Sequence, residues 1–182
     1  MSQIAVISNI SATLEFTCRE KIERQGGKIM QNLRVLVVDD EIDFLEAFVD
    51  RLKMRDIDVI GAESGEKAIE LLDKQNFDVA ILDVKMPGMA GIETLREMKR
   101  KMPLMEVIML TGHASVESGI EGMKFGAYDY VLKPADIDEL MEKMRKAHEK
   151  KSIHEEKIHY ARIKELTAHP RRVLDIMKED EK

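Results

Sequence analysis

The run Asp78-Val79-Ala80-Ile81-Leu82-Asp83, broken soon afterwards by Met86-Pro87-Gly88, restricts the fold of this chain more than any other stretch. Val79 to Leu82 are four consecutive apolar residues without alternation. That pattern suits a strand covered on both faces, as in a parallel sheet, better than a hairpin strand with one wet face. Proline and glycine then end it. An acid at the carboxyl end of such a strand projects into the crevice where open α/β sheets hold their ligands. Asp83 is therefore the first candidate for chemistry.

The same grammar repeats from Arg34 onward. Apolar strands are predicted at Arg34 to Val38, Ile57 to Gly61, Asp78 to Leu82, Glu106 to Leu110 and Asp129 to Leu132. Helical periodicities lie between them. Phe44, Leu45, Phe48, Val49 and Leu52 mark the first, and Ala68, Ile69, Leu71 and Leu72 the second, which Ser64 would cap with Lys67 at its third position. Ile92, Leu95 and Met98 outline the third, Val116, Ile120 and Met123 the fourth, and Ile137, Leu140, Met141, Met144 and Ala147 the fifth. Five βα units imply a doubly wound parallel sheet, because each parallel connection needs a crossover and right-handed crossovers dominate.

At 182 residues the chain suits one domain with appendages. Residues 1–32 show no core pattern. They are expected to be an N-terminal extension, either a flexible arm or translated sequence upstream of a natural start at Met30. Residues 33–150 form the domain, and residues 151–182 a charged, mostly helical tail broken at His169-Pro170. So short a tail cannot make a winged helix or an ATPase module, so a stand-alone domain is expected. The net charge of -6 argues against a nucleic-acid surface over the whole molecule. Arg162, Lys164, Arg171 and Arg172 are the one local basic patch. The single Cys18 allows no internal disulfide and suits a reducing cytoplasm. No apolar run is long enough to cross a bilayer, and no secretory signal is recognisable.

Read together, the strand ends form a constellation. Strand one ends in Asp39-Asp40-Glu41, strand three in Asp83, strand four in Thr111-Gly112 and strand five in Lys133-Pro134. All belong to one edge of the sheet. Carboxylates converging there repel one another unless a cation neutralises them. An all-oxygen acidic cluster suits Mg²⁺. A lysine and a hydroxyl on the same rim can hold a tetrahedral anion, and the set describes phosphoryl transfer to a carboxylate. Taken singly, each residue has a plainer reading: Asp39 or Asp40 as a helix cap, Asp83 as a turn aspartate, Thr111 as a loop hydroxyl, Lys133 as a solvated lysine. Their coincidence on four strand ends favours the chemistry.

Val37-Val38-Asp39-Asp40-Glu41, Leu82-Asp83-Val84-Lys85-Met86-Pro87-Gly88, Leu110-Thr111-Gly112 and Tyr130-Val131-Leu132-Lys133-Pro134 together resemble the receiver domain of bacterial two-component response regulators. The resemblance implies a flavodoxin-like sheet in the order 2-1-3-4-5 with a C-terminal helical extension. It implies that Asp83 accepts phosphate from a sensor histidine kinase or a phosphotransfer protein. Asp39, Asp40, Asp83 and the backbone carbonyl of Lys85 would bind Mg²⁺, while Thr111 and Lys133 grip the phosphoryl group. Thr111 and Tyr130 would form the switch that changes the face made by helix four, strand five and helix five. Such a face binds an unidentified downstream protein and in this family also pairs copies. Lys85 and His113 would tune the lifetime of the phosphorylated state. Such a domain is no enzyme beyond catalysing its own phosphorylation and dephosphorylation. Two alternatives stay open: a tail that is itself an output contact for DNA, RNA or a second subunit, and a relay intermediate. A haloacid-dehalogenase hydrolase also uses a strand-end aspartate, but needs a second acid two residues on, where this chain has Lys85.

Overall fold

A computed structural model describes residues 33–112 and 122–168 of the chain. Five parallel strands form one sheet: β1 (Arg34–Val38), β2 (Asp58–Ala62), β3 (Val79–Asp83), β4 (Glu106–Thr111) and β5 (Asp129–Leu132). They lie in the order β2-β1-β3-β4-β5, as the resemblance implies. Helices α1 (Ile42–Lys53), α2 (Gly65–Lys74) and α3 (Gly91–Lys101) follow the first three strands. A helix here called α4 precedes β5, with residues 122–124 described, and α5 (Ile137–Ala168) closes the chain. Most of the predicted fourth helix, and His113, lie outside the described residues.

Alternation along the strands sorts the core into two layers. Val35, Val37, Val79, Ile81, Ile108 and Leu110 face α1 and α5, meeting Leu45, Phe48, Leu52, Leu140 and Met144. Leu36, Val38, Ala80, Leu82, Val107 and Met109 face the other way, onto Leu72, Leu95 and Met98 of α2 and α3. Both faces of the sheet are thus covered. This is why the strands read as continuous apolar runs rather than as alternating ones.

Local chemistry places several boundaries. Ser64 caps α2 by accepting a hydrogen bond from the Lys67 N–H at 3.2 Å, as its sequence predicts. β2 runs one residue later than the apolar pattern suggests. Its register against β1 pairs Arg34 with Asp58 and Val38 with Ala62, and the Ile57 N–H instead donates back to the Leu52 carbonyl at the end of α1. β3 likewise runs one residue later than predicted, and β4 extends by one, because Asp83 pairs with Leu110 and Thr111 with Leu132. Pairing with a neighbour, not composition, decides where these strands stop. The methionines behave as core filler at Met98 and Met144, which are fully buried, whereas Met123 is half-exposed.

Candidate functional site

Every strand end of the predicted constellation reaches the same carboxyl edge. β1 delivers Asp39, 1% exposed, and β3 delivers Asp83, 5% exposed. Lys133 follows β5, and its N–H donates to the Thr111 carbonyl at 2.8 Å, which ties the ends of β4 and β5 together. The Lys133-Pro134 peptide bond is cis.

One ammonium organises the pocket. Lys133 Nζ lies 2.6 Å from Asp39 Oδ2, 3.1 Å from Asp83 Oδ1 and 3.6 Å from Glu41 Oε1. The second oxygen of each buried aspartate accepts from backbone: Asp39 Oδ1 from the Glu41 N–H at 3.1 Å, Asp83 Oδ2 from the Lys85 N–H at 2.6 Å. Asp83 is thus a turn aspartate as well as a pocket residue, with one oxygen bracing the loop and the other turned to the cation. The plainer cap reading of Asp39 and Asp40 does not fit, because Glu41 is the N-cap of α1 and the helix start has no side-chain cap.

Burial dominates the electrostatics of Asp83. It pushes the carboxyl above the ordinary aspartate value, although Lys133 and the Lys85 N–H both pull the other way. For Lys133 burial is again the largest single influence and works against the charged form. The hydrogen bonds and charges of Asp39 and Asp83 together outweigh it, leaving the lysine above its usual value. The pair is therefore a protonated lysine facing a carboxylate that pays for its charge in desolvation.

Thr111 is buried at the end of β4. Tyr130 lies on β5 with its ring outward, 48% exposed, beside the equally exposed Leu132. Asp40 is partly exposed next to Asp39, and the Lys85 side chain is exposed while its N–H serves the pocket. Among the described residues no three His, Cys, Asp or Glu side chains already stand as a ligand array. The ligands that the resemblance implies, the carboxylates of Asp39, Asp40 and Asp83 and the Lys85 carbonyl, would nonetheless all be oxygen. That set fits Mg²⁺, which takes one or two carboxylates and keeps its waters. The position of Lys133 between Asp39 and Asp83 shows that the pocket demands positive charge.

Two neighbours were given no role by sequence reasoning. Glu41 reaches toward Lys133, and the Phe44 ring lies against its ammonium with the centroid 4.4 Å away. Phe44 reads in the sequence as an ordinary apolar helix position, and no local signal marks it as anything else.

The model of the response regulator receiver domain matches residues 35–145. The chain belongs to this family. Among curated proteins, the transcriptional regulatory protein ZraR of Escherichia coli K12 is 40% identical over 116 residues, covering 64% of this chain and 26% of that protein. A cyclic di-GMP phosphodiesterase of Thermotoga maritima is 37% identical over 122 residues, covering 67% of this chain and 33% of that one. The receiver chain thus spans about a quarter to a third of the curated relatives it matches. Among solved structures, a CheY-like receiver domain of Methanospirillum hungatei JF-1 superposes with a TM-score of 0.65 at 28% identity, covering 68% of this chain and 98% of that one. The chain is therefore a receiver domain of a two-component response regulator. No helix among the described residues is long and apolar enough to cross a membrane.

Proposed function

We propose that Asp83 is the phosphoacceptor of this receiver, taking a phosphoryl group from a phosphohistidine on a sensor histidine kinase or a phosphotransfer protein. The observation that carries this reading is the bridge of Lys133 between Asp39 and Asp83, which concentrates positive charge beside one buried, partly desolvated carboxylate. An Asp83 oxygen attacks phosphorus, the phosphorus–nitrogen bond of the donor breaks, and its electron pair stays on the departing imidazole. Lys133 meets the charge on the transferred group, and Thr111 donates its hydroxyl to a phosphoryl oxygen. Asp39 and Asp40, with Asp83 and the Lys85 carbonyl, would hold Mg²⁺, which when bound offsets charge on the phosphoryl oxygens. Movement of Thr111 toward the phosphoryl group opens space into which Tyr130 turns from its outward position, changing the face of α4, β5 and α5. Incubation with acetyl phosphate and Mg²⁺ is expected to add one phosphate at Asp83 by mass spectrometry, and none in Asp83→Asn. Phosphate on any other residue overturns the assignment.

We infer that Lys85 and His113 help to set the lifetime of the phosphorylated state. Lys85→Asn is expected to change the phosphoryl half-life severalfold, measured by loss of label after the donor is removed. An unchanged half-life removes Lys85 from this role. A second output reading has one observation in its favour: α5 carries Ile158, Tyr160 and Ile163 exposed beyond the body of the domain. In that reading the helix itself contacts a further domain or a second subunit.

A further inference from the structure

Phe44 sits in the first turn of α1, four residues after Asp40, so the element that follows the acidic pair also carries its ring. The ring is stacked on Phe48, with centroids 5.4 Å apart and planes 14° from parallel, and Phe48 is itself buried. Phe44 therefore cannot turn away from the Lys133 ammonium without leaving that stack. We propose that Phe44 is a positioning residue of the phosphoacceptor pocket, its ring face holding the Lys133 ammonium on Asp83 and away from Glu41.

The need for such a residue follows from the chemistry of lysine. Its ammonium is a compact charge on a flexible four-carbon stem, without the fixed fork of arginine. Three carboxylates lie within its reach, at 2.6 Å (Asp39), 3.1 Å (Asp83) and 3.6 Å (Glu41). The Glu41 side chain is 71% exposed, so a lysine drawn to it stays hydrated and is lost to the pocket. The electron-rich ring face attracts the cation, and more strongly where water is excluded. Packing alone would be served by any apolar residue of similar bulk, since Phe44 also leans on the core shared by α1 and α5.

The inference rests on Asp83 being the acceptor, and the experiment separates the two. The full chain is incubated with acetyl phosphate and Mg²⁺, and the rate of phosphate addition is followed by mass spectrometry. No modification of the wild type overturns the acceptor reading and this one together. With the wild type modified, Phe44→Leu, which keeps apolar bulk but has no ring, is expected to react roughly three- to tenfold more slowly, the scale of one cation–π contact. Phe44→Tyr, which keeps the ring, is expected to stay within about twofold of the wild type. Phe44→Met serves as the ringless variant should the leucine variant fail to fold. Glu41→Gln is expected to raise the rate more in the Phe44→Leu background than in the wild type, because the competing carboxylate matters only once the ring is gone. A ringless variant as fast as the wild type overturns the proposal while leaving the acceptor reading intact. So does a tyrosine variant as slow as leucine, or an effect of Glu41→Gln that is the same in both backgrounds.

Discussion

Asp83 has one cation and one backbone N–H in reach, and burial still outweighs both, so its carboxyl titrates above the ordinary aspartate value. The sign of the consequence follows by linkage. A raised folded-state value means that the native state binds this proton more tightly than the unfolded chain does, so stability falls as pH rises through that interval and stays low above it. Asp83→Asn, in the presence of a chelator, is therefore expected to raise Tm by a few degrees at neutral pH, with Lys133 still paired to Asp39. The gain should shrink as pH falls through the raised value of Asp83 toward the ordinary one near 3.8. Thermal melts across that range decide it, and a gain that holds constant or grows in acid refutes the burial account. Adding Mg²⁺ should narrow the gap by stabilising only the wild type, since a ligand of the native state stabilises by mass action.

At the scale of elements, the connection from β3 to α3 controls where Asp83 sits. The Gly91 N–H donates to the Val84 carbonyl at 3.2 Å, and a side chain there would collide with the Asp83 carbonyl oxygen and the Val84 backbone. Gly91→Ala is expected to destabilise by about 1–3 kcal/mol in denaturant titration. It should also slow phosphate addition more than the loss of folded protein accounts for, because the displaced backbone carries Asp83, the proposed acceptor. Much of this layer is legible in the sequence. Ser64 and Lys67 announce their cap because that chemistry is local, and Asp39, Asp83, Thr111 and Lys133 announce themselves as the ends of apolar runs. What could not be read depends on contacts between distant parts of the chain. The one-residue offset of β2 is fixed by pairing with β1. The place of Phe44 over Lys133 depends on how α1 leans toward the loop after β5. The helical tail itself is legible up to the break at His169-Pro170, and α5 runs to Ala168, although Ile153, Ile158 and Ile163 build no single stripe. Lys151 and Glu155 at 3.4 Å, and Arg145 and Glu149 at 3.3 Å, support it through charge instead.

Across the whole molecule, the end of the sheet opposite the Asp83 pocket fastens that helix. Lys151 Nζ lies 2.5 Å from Asp78 at the start of β3, and Lys150 Nζ 2.8 Å from Glu106 at the start of β4. Asp78 also accepts from the Arg34 N–H at 2.8 Å, so three elements meet there. Lys151→Ala leaves a largely buried carboxylate without its cation and is expected to cost roughly 1–3 kcal/mol, less than a fully buried pair because water reaches both groups. Hydrogen exchange in residues 152–165 should rise with it. Ile163→Ala, on the exposed side, should change stability by no more than about 0.5 kcal/mol; a loss as large as that of Lys151→Ala would mean that another surface covers it. From Lys151 to Glu165 the helix runs for roughly 21 Å. A tilt of about 5° at the lysine bridges therefore swings its far end through about 2 Å. The two bridges act as the fulcrum of a lever, and their strength decides how much of any rotation of α5 arrives at the tip as travel.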